Sequence, residues 1–289
     1  MKRIFITALC LAVVMSSCTR GRSGGGDDAA GEVAEVDTIG TDSLAPDSLV
    51  PDAQEQIIES TVMERTADEL FDDFVFNFAA NRRLQMQRIV FPLPNVQLNG
   101  NTETVRREQW HMEHFFMRQD YYTLLFDSEQ QMEAVSDTSV HEAVVERIQL
   151  NAHTIKRFVF KRHQGQWMLI SLQNIEMGAS GNASFLSFYE RFSTDSLFQT
   201  QHLADVIGFS APDPDNDFET MDGVITPETW QAFVPELPQN TIYNIVYGRP
   251  NATESQRKLF IIRGIANDSQ VELDFERRGQ QWFLTTLRQ

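Results

Sequence analysis

Apolar residues recur at helical spacing twice along the chain. In TADELFDDFVFNFAANRRL (66–84), Leu70, Phe71, Phe74 and Phe78 fall on one face, with Asp72, Asp73 and Asn77 between them, which predicts an amphipathic helix. Thr66 and Glu69 precede it at capping-box spacing. In NASFLSFYERFSTDSLF (182–198), Phe185, Phe188 and Phe192 repeat the spacing of Phe71, Phe74 and Phe78 at an offset of 114, and Phe198 follows Leu84 at the same offset. Strand-like stretches repeat as well. AVVERIQL matches LFIIRGIA, and KRFVFKR matches VELDFER, with Phe158 and Phe160 aligned on Leu273 and Phe275. RHQGQWMLISLQ and RRGQQWFLTTLR close the two copies, their Trp167 and Trp282 lying 115 positions apart. Earlier in each copy, YYTLLF (121–126) matches IYNIVY (242–247), pairing Tyr122 with Tyr243 and Phe126 with Tyr247. REQW with Trp110 matches TPETW with Trp230, both reading as helix starts, with Thr226 as a cap and Pro227 in the first turn. Hairpins are predicted in RIVFPLPNVQLNG and ADVIGFSAPDPDNDFETMDGVI.

Each copy therefore runs helix, short helix, hairpin, helix and about four strands. Helices first and strands last are the signature of an α+β fold. Two tandem units are expected, at 66–177 and 182–289, separated by MGASGNA (177–183). This order of elements resembles the cone-shaped nuclear transport factor 2-like fold, shared with ketosteroid isomerases and polyketide cyclases. The resemblance implies a curved antiparallel sheet wrapped around the first long helix, with a pocket at the open end. ADELFDDFVFNFAANRRLQMQRIVFPLP, behind the N-terminal signal described next, also resembles an uncharacterised Bacteroidetes lipoprotein family known only as a domain of unknown function. That resemblance implies no activity.

The N-terminus carries Lys2 and Arg3, then an apolar run from Ile4 to Met15 too short to span a bilayer, then MSSC. Small residues before Cys18 resemble the lipobox of bacterial lipoproteins, which implies a signal peptide at 1–17 and lipidation of Cys18. Only Cys10 and Cys18 are present, so the mature chain has no thiol for a disulfide, a nucleophile or a zinc site. Thr19 rather than Asp follows Cys18, which by resemblance to lipoprotein sorting rules implies the outer membrane. The acidic pair Asp27–Asp28 comes late, so the periplasmic face is favoured over the cell surface. The segment 18–65 has no apolar periodicity. Between Thr19 and Glu64 it holds eleven acidic residues and two Arg, about half of the chain's formal charge of −17. It reads as an extended, self-repelling acidic tether. The acidic balance argues against nucleic acid as a partner.

Candidate chemistry is sparse. His111 and His114, with Glu113 between them, stand at i,i+3 spacing on an expected helix, but no third ligand accompanies them, and no metal site is expected. Ser180 in GASGN is one residue short of a nucleophile elbow. The isomerase resemblance asks for a carboxylic base and an acidic donor; Asp120, Tyr121, Tyr122 and Tyr243 are the available types, without a paired carboxylate in a definable pocket. No catalytic residue and no cofactor is assigned. Phe74, Trp110, Tyr122, Trp167, Phe188, Trp230, Tyr243 and Trp282 are the candidates to line ligand pockets or else to fill the cores. Arg157 and Lys161 in the first copy match Glu272 and Glu276 in the second, which suggests a fused pseudo-dimer with complementary charge between facing sheets. The expected role is noncatalytic binding at the cell envelope. The partner would be an amphipathic small molecule, a glycan or an envelope protein, with the membrane reached through Cys18. The rival expectation is a ketosteroid isomerase or polyketide cyclase-like enzyme acting on a small apolar substrate.

Overall fold

The helix α1 (Phe71–Ala80) buries Phe71, Phe74, Val75, Phe78 and Ala79, the stripe its periodicity predicts. In this computed structural model the described residues are 70–289, apart from 214, 215, 252 and 268 and the side chains of 217 and 218. The signal peptide, Cys18, the tether and the Thr66–Glu69 capping box lie outside them. Asn81 ends α1 in extended backbone, and its side chain accepts from Leu84 N at 3.0 Å to start α2 (Arg82–Arg88). Strands β1 (Leu93–Val96) and β2 (Thr102–Val105) form the first hairpin, whose second strand lies beyond the predicted stretch. Then follow β3 (Tyr121–Phe126), the single turn α3 (Glu129–Met132), β4 (Glu142–Gln149), β5 (Thr154–His163) and β6 (Gln166–Glu176). The second copy runs α4 (Ala183–Phe192), α5 (Ser196–Gln201), β7 (Leu203–Asp213), β8 (Asn216–Ile225), β9 (Thr241–Tyr247), β10 (Arg257–Gly264), β11 (Gln270–Arg278) and β12 (Gln281–Arg288). Asp195 caps α5 as Asn81 caps α2, accepting from Leu197 N and Phe198 N at 3.0 Å, again at an offset of 114.

The helix starts expected at Trp110 and Trp230 are single 3-10 turns, Arg107–Gln109 and Trp230–Ala232. In the first copy the chain is turned aside by Phe115, whose φ is +46°, and in the second by Pro235 and Pro238. His111 and His114 therefore share no helical face, and the described residues contain no cluster of three metal-ligating side chains.

The two sheets have the same topology. One runs β2-β1-β6-β5-β4-β9 and the other, read in the same direction, β8-β7-β12-β11-β10-β3. Only β1–β6 and β7–β12 are parallel. The α+β cone architecture is thus present twice, with one departure from tandem order: the sixth strand of each sheet comes from the other half. β9 pairs with β4, and β3 pairs with β10. In each copy the helical Phe triad closes around one Phe of the central strand. Phe71, Phe74 and Phe78 lie 5.3, 5.8 and 5.3 Å from Phe160. Phe185, Phe188 and Phe192 lie 5.3, 5.6 and 5.3 Å from Phe275. A register shift beside each of these two Phe, at Val159/Phe160 and Asp274/Phe275, is the kind of bulge that bends a strand around a helix.

The exchanged strands are the outer strands of their sheets, and they meet there. The Thr123 hydroxyl donates to the Tyr243 carbonyl, and Leu125 N donates to Asn244 Oδ1 at 2.9 Å, so each edge is covered by the other. The charge complementarity expected between the sheets is instead satisfied within them. Arg157 pairs with Glu146 at 2.8 Å, Lys161 with Glu142 at 3.4 Å and Arg288 with Glu272, each pair directly opposite across neighbouring strands. Glu276 pairs with Arg278 at 3.7 Å. Each of the first three pairs joins direct cross-strand neighbours, the position at which opposite charges interact best in a sheet.

Of the ion pairs that tie the halves together, one has a fully buried cation. Lys258 of β10, 1% exposed, donates to the Asp127 carboxylate just after β3 and to the Asn182 side chain. Lys258→Met is expected to lose about 3–5 kcal/mol, because Asp127 is left without its cation. Urea unfolding measures this. The double variant with Asp127→Asn is expected to recover most of the loss, and an unchanged midpoint in the single variant contradicts the coupling.

Candidate functional site

All eight aromatic candidates are buried. Phe74, Trp110, Tyr122, Trp167 and Tyr243 belong to one core; Phe188, Trp230 and Trp282 belong to the other. Tyr243 thus joins the first core, not the second. The match of Tyr122 to Tyr243 is one residue out of register. Arg147 lies opposite Tyr243 and Ile262 lies opposite Thr123, so the structural counterpart of Tyr243 is Thr123. Because side chains alternate across a strand, that single step turns Tyr122, Leu124 and Phe126 to the opposite face, against the first core. Trp167 meets Phe71 edge-on at 4.9 Å, and Trp282 meets Phe185 edge-on at 5.4 Å. Trp110 and Trp230 act as latches. Their indole N–H groups donate to Gln85 Oε1 at 3.0 Å and to Gln199 Oε1 at 3.2 Å. Gln85 and Gln199 stand at the same 114-residue offset as the Phe triads, so the repeat itself carries their signal.

The open ends of the cones differ. In the first, Phe115 and Phe116 turn inward and are almost completely buried. Phe115 packs edge-on against Phe158 at 4.8 Å, and Phe116 lies 5.3 Å from Tyr122. Glu113 seals the rim: its N–H and C=O both bond the Gln85 carboxamide, at 3.1 and 2.7 Å, and its carboxylate reaches Arg147 at 3.3 Å. Burial lowers the Lys156 amine below its ordinary range, with Arg147 adding to the effect and Glu113 opposing it. Burial raises the Tyr243 phenol, and Glu113 raises it further.

At the second cone, counting from Trp230 as from Trp110, Pro235 and Glu236 stand where the first has Phe115 and Phe116, and Ile262 stands for Arg147. A cavity of about 660 Å³ opens here, in the range of ligand sites. Val234, Leu237 and Ile262 give it apolar walls; Asp120, Tyr121 and Glu236 give it a polar rim; Gln199 reaches it from below. Burial raises the Tyr121 phenol, and the Glu236 carboxylate adds to the rise. None of the eight aromatic candidates lines this cavity; of them only Phe188, Trp230 and Trp282 belong to the core of that cone.

Residues 50–289 match a family described as a domain of unknown function, DUF4348. The chain belongs to DUF4348. No curated protein matches it. It is similar to the crystal structure of a protein described as NTF2-like from Bacteroides fragilis, with 36% sequence identity and a TM-score of 0.72 over 79% of this chain and 98% of that one. The cone fold and the Bacteroidetes connection expected from the sequence are thereby established.

This DUF4348 chain has a second, smaller cavity of about 130 Å³ where β3 and β9 meet, lined by Glu146, Arg157, Asn182, Asn244 and Tyr247 among others. Its charged groups are already paired: Glu146 accepts from Arg157 Nε at 2.8 Å and from Asn244 Nδ2 at 3.0 Å, Asp127 holds Lys258, and Arg249 reaches Glu142 at 3.4 Å. Beside it, Tyr247 donates to the Asp72 carboxylate. Burial raises the Asp72 carboxyl above its ordinary range, while Tyr247 and Arg263 oppose the rise. Asp72 is the nearest thing in the chain to an isomerase base, but it lines neither cavity.

Proposed function

We propose that this DUF4348 protein is a lipid-anchored cell-envelope protein that binds a ligand, without catalysis, in the mouth of its second cone. One observation carries the reading: of two mouths built on the same plan, the first is closed by Phe115, Phe116 and the Glu113–Arg147 pair, and the second is left open over apolar walls. The isomerase-like alternative is weaker, because Asp72 is a lining residue of neither the larger nor the smaller cavity described above. Anchoring rests on the MSSC sequence at Cys18, and an outer-membrane position with the periplasmic face favoured rests on Thr19 and the late acidic pair.

Native mass spectrometry of the full chain, extracted gently from its own envelope, tests the reading. The expected result is a co-purifying mass that is released on unfolding and is missing from the double variant Pro235→Phe, Glu236→Phe, which rebuilds the plug. A mass that persists in that variant puts the ligand elsewhere and overturns the proposal. Cys18→Ser is expected to move the protein from the membrane fraction to the soluble fraction, and intact cells are expected to protect the protein from added protease.

A further inference from the structure

The ligand class can be read from the first mouth, because that mouth is already occupied by a piece of the chain itself; this step rests on the binding role proposed above. Gln85 and Gln199 are equivalent, buried and aimed at the two mouths, yet they are not equally used. Gln85 makes four hydrogen bonds. Its Nε2 donates to Phe78 O at 2.8 Å and to Glu113 O at 2.7 Å, and its Oε1 accepts from Trp110 Nε1 at 3.0 Å and Glu113 N at 3.1 Å. Gln199 makes only the first and third of these, to Phe192 O at 2.6 Å and from Trp230 Nε1 at 3.2 Å. It is 7% exposed and lines the open cavity. One carboxamide N–H and one Oε1 lone pair are therefore unused among the described residues. In the first mouth, the pair of groups that uses them is the N–H and C=O of a single peptide residue, Glu113, followed two and three positions later by two Phe rings.

We infer that the second mouth binds an extended peptide segment, one residue of which exchanges its N–H and C=O with Gln199 while aromatic side chains just beyond it fill the space over Ile262 and Leu237. Residues 113–116 are the internal template for the bound form. Where they differ from the ligand is in charge. The acidic Glu113 of the template has Arg147 to meet it, but the corresponding wall of the second mouth is Ile262. The residues lining that mouth include Asp120 and Glu236 and no Lys, Arg or His. The segment is therefore neutral or basic, not acidic. An unmatched buried amide is costly, so the Gln199 edge selects peptide over a purely hydrocarbon ligand.

Calorimetric titration of the full chain with acetyl-Lys-Ala-Phe-Phe-Lys-amide, whose first Lys stands two and three positions before the rings as Glu113 does, tests this directly. Saturable 1:1 binding is expected. Acetyl-Lys-Ala-Ala-Ala-Lys-amide and acetyl-Glu-Ala-Phe-Phe-Glu-amide are each expected to bind at least about tenfold more weakly, about 1.4 kcal/mol. The Pro235→Phe, Glu236→Phe variant is expected to lose binding. Glu236→Lys changes an exposed side chain and leaves the core untouched; it is expected to reverse the preference between the lysine and glutamate peptides. No binding of the Lys-Ala-Phe-Phe-Lys peptide, equal binding of the alanine peptide, or a charge preference that Glu236→Lys leaves unchanged overturns the inference. A co-purifying non-peptide mass that the plug variant loses would overturn it too, while leaving the mouth as the binding site.

Discussion

Cut between Ala179 and Ser180 and produced separately, the two halves of the folded region are each expected to fail to fold, and to fold when mixed as a 1:1 complex. The reason is the exchange of β3 and β9. The first half alone lacks β9 and β10, and with them Tyr243, Ile245 and Ile261 of its own core. The second half lacks the strand that pairs with β10, and from its own core it lacks Ile148, Leu150 and Ile155 of the first half. Three such side chains at about 1.5–3 kcal/mol each approach the whole net stability of a domain, about 5–15 kcal/mol. Nor can each half substitute its own strand. With β3 in the place of β9 beside β4, Thr123, Leu125 and Asp127 would stand where Tyr243, Ile245 and Tyr247 now stand, and Asp127 would replace the phenol that donates to Asp72. Two carboxylates would then face each other in a partly buried site. Circular dichroism and proton–nitrogen correlation spectra of the halves, alone and mixed, measure the outcome. A first half that shows a dispersed native spectrum on its own would mean that β3 can return to β4 and that the exchange is dispensable.

The parts of this fold that show in the sequence are those where packing imposes a period. The Phe triads at 71, 74, 78 and at 185, 188, 192 had to keep helical spacing because each closes on one strand residue, Phe160 or Phe275. The exchange left no such trace. YYTLLF is apolar on both faces, since Leu125 faces the second core while Tyr122, Leu124 and Phe126 face the first. Such a strand satisfies either pairing and either register as far as its own pattern goes. The salt bridges were legible as charge but not as partners: Arg157 and Glu272 mark a surface contrast in the sequence, and only the strand register brings Glu146 and Arg288 opposite them. The site was hidden for a different reason. The conspicuous aromatics, Trp110, Trp230 and the others, are the ones that fill the cores. The cavity is marked by what the second copy lacks, Pro235 and Glu236 in place of Phe115 and Phe116, and a missing side chain carries no pattern of its own.

Replacing the two buried glutamines by leucine is expected to have unequal effects, and the inequality measures how differently the two mouths are built. Gln85→Leu leaves four groups without their partner: Phe78 O near the end of α1, Trp110 Nε1, and the N–H and C=O of Glu113. Gln199→Leu leaves two, Phe192 O at the end of α4 and Trp230 Nε1. The two carbonyls are among the last of their helices, which have no intrahelical donor to fall back on. Each buried group so abandoned costs about 1–3 kcal/mol, and leucine keeps most of the apolar volume, so the cavity term is small. Gln199→Leu is expected to lose about 2–4 kcal/mol and Gln85→Leu about 2 kcal/mol more, because Glu113 lies near the rim and water reaches part of what it loses. Urea unfolding of both variants at one temperature gives the comparison. Gln85→Leu is also expected to loosen the plug, since Glu113 no longer pins Phe115 and Phe116. Proteolysis between His111 and Arg118 is then expected to become faster in that variant and to stay slow in Gln199→Leu. Equal losses of stability in the two variants would mean that the bonds from Glu113 contribute nothing, and the first mouth could no longer serve as the template for a ligand in the second.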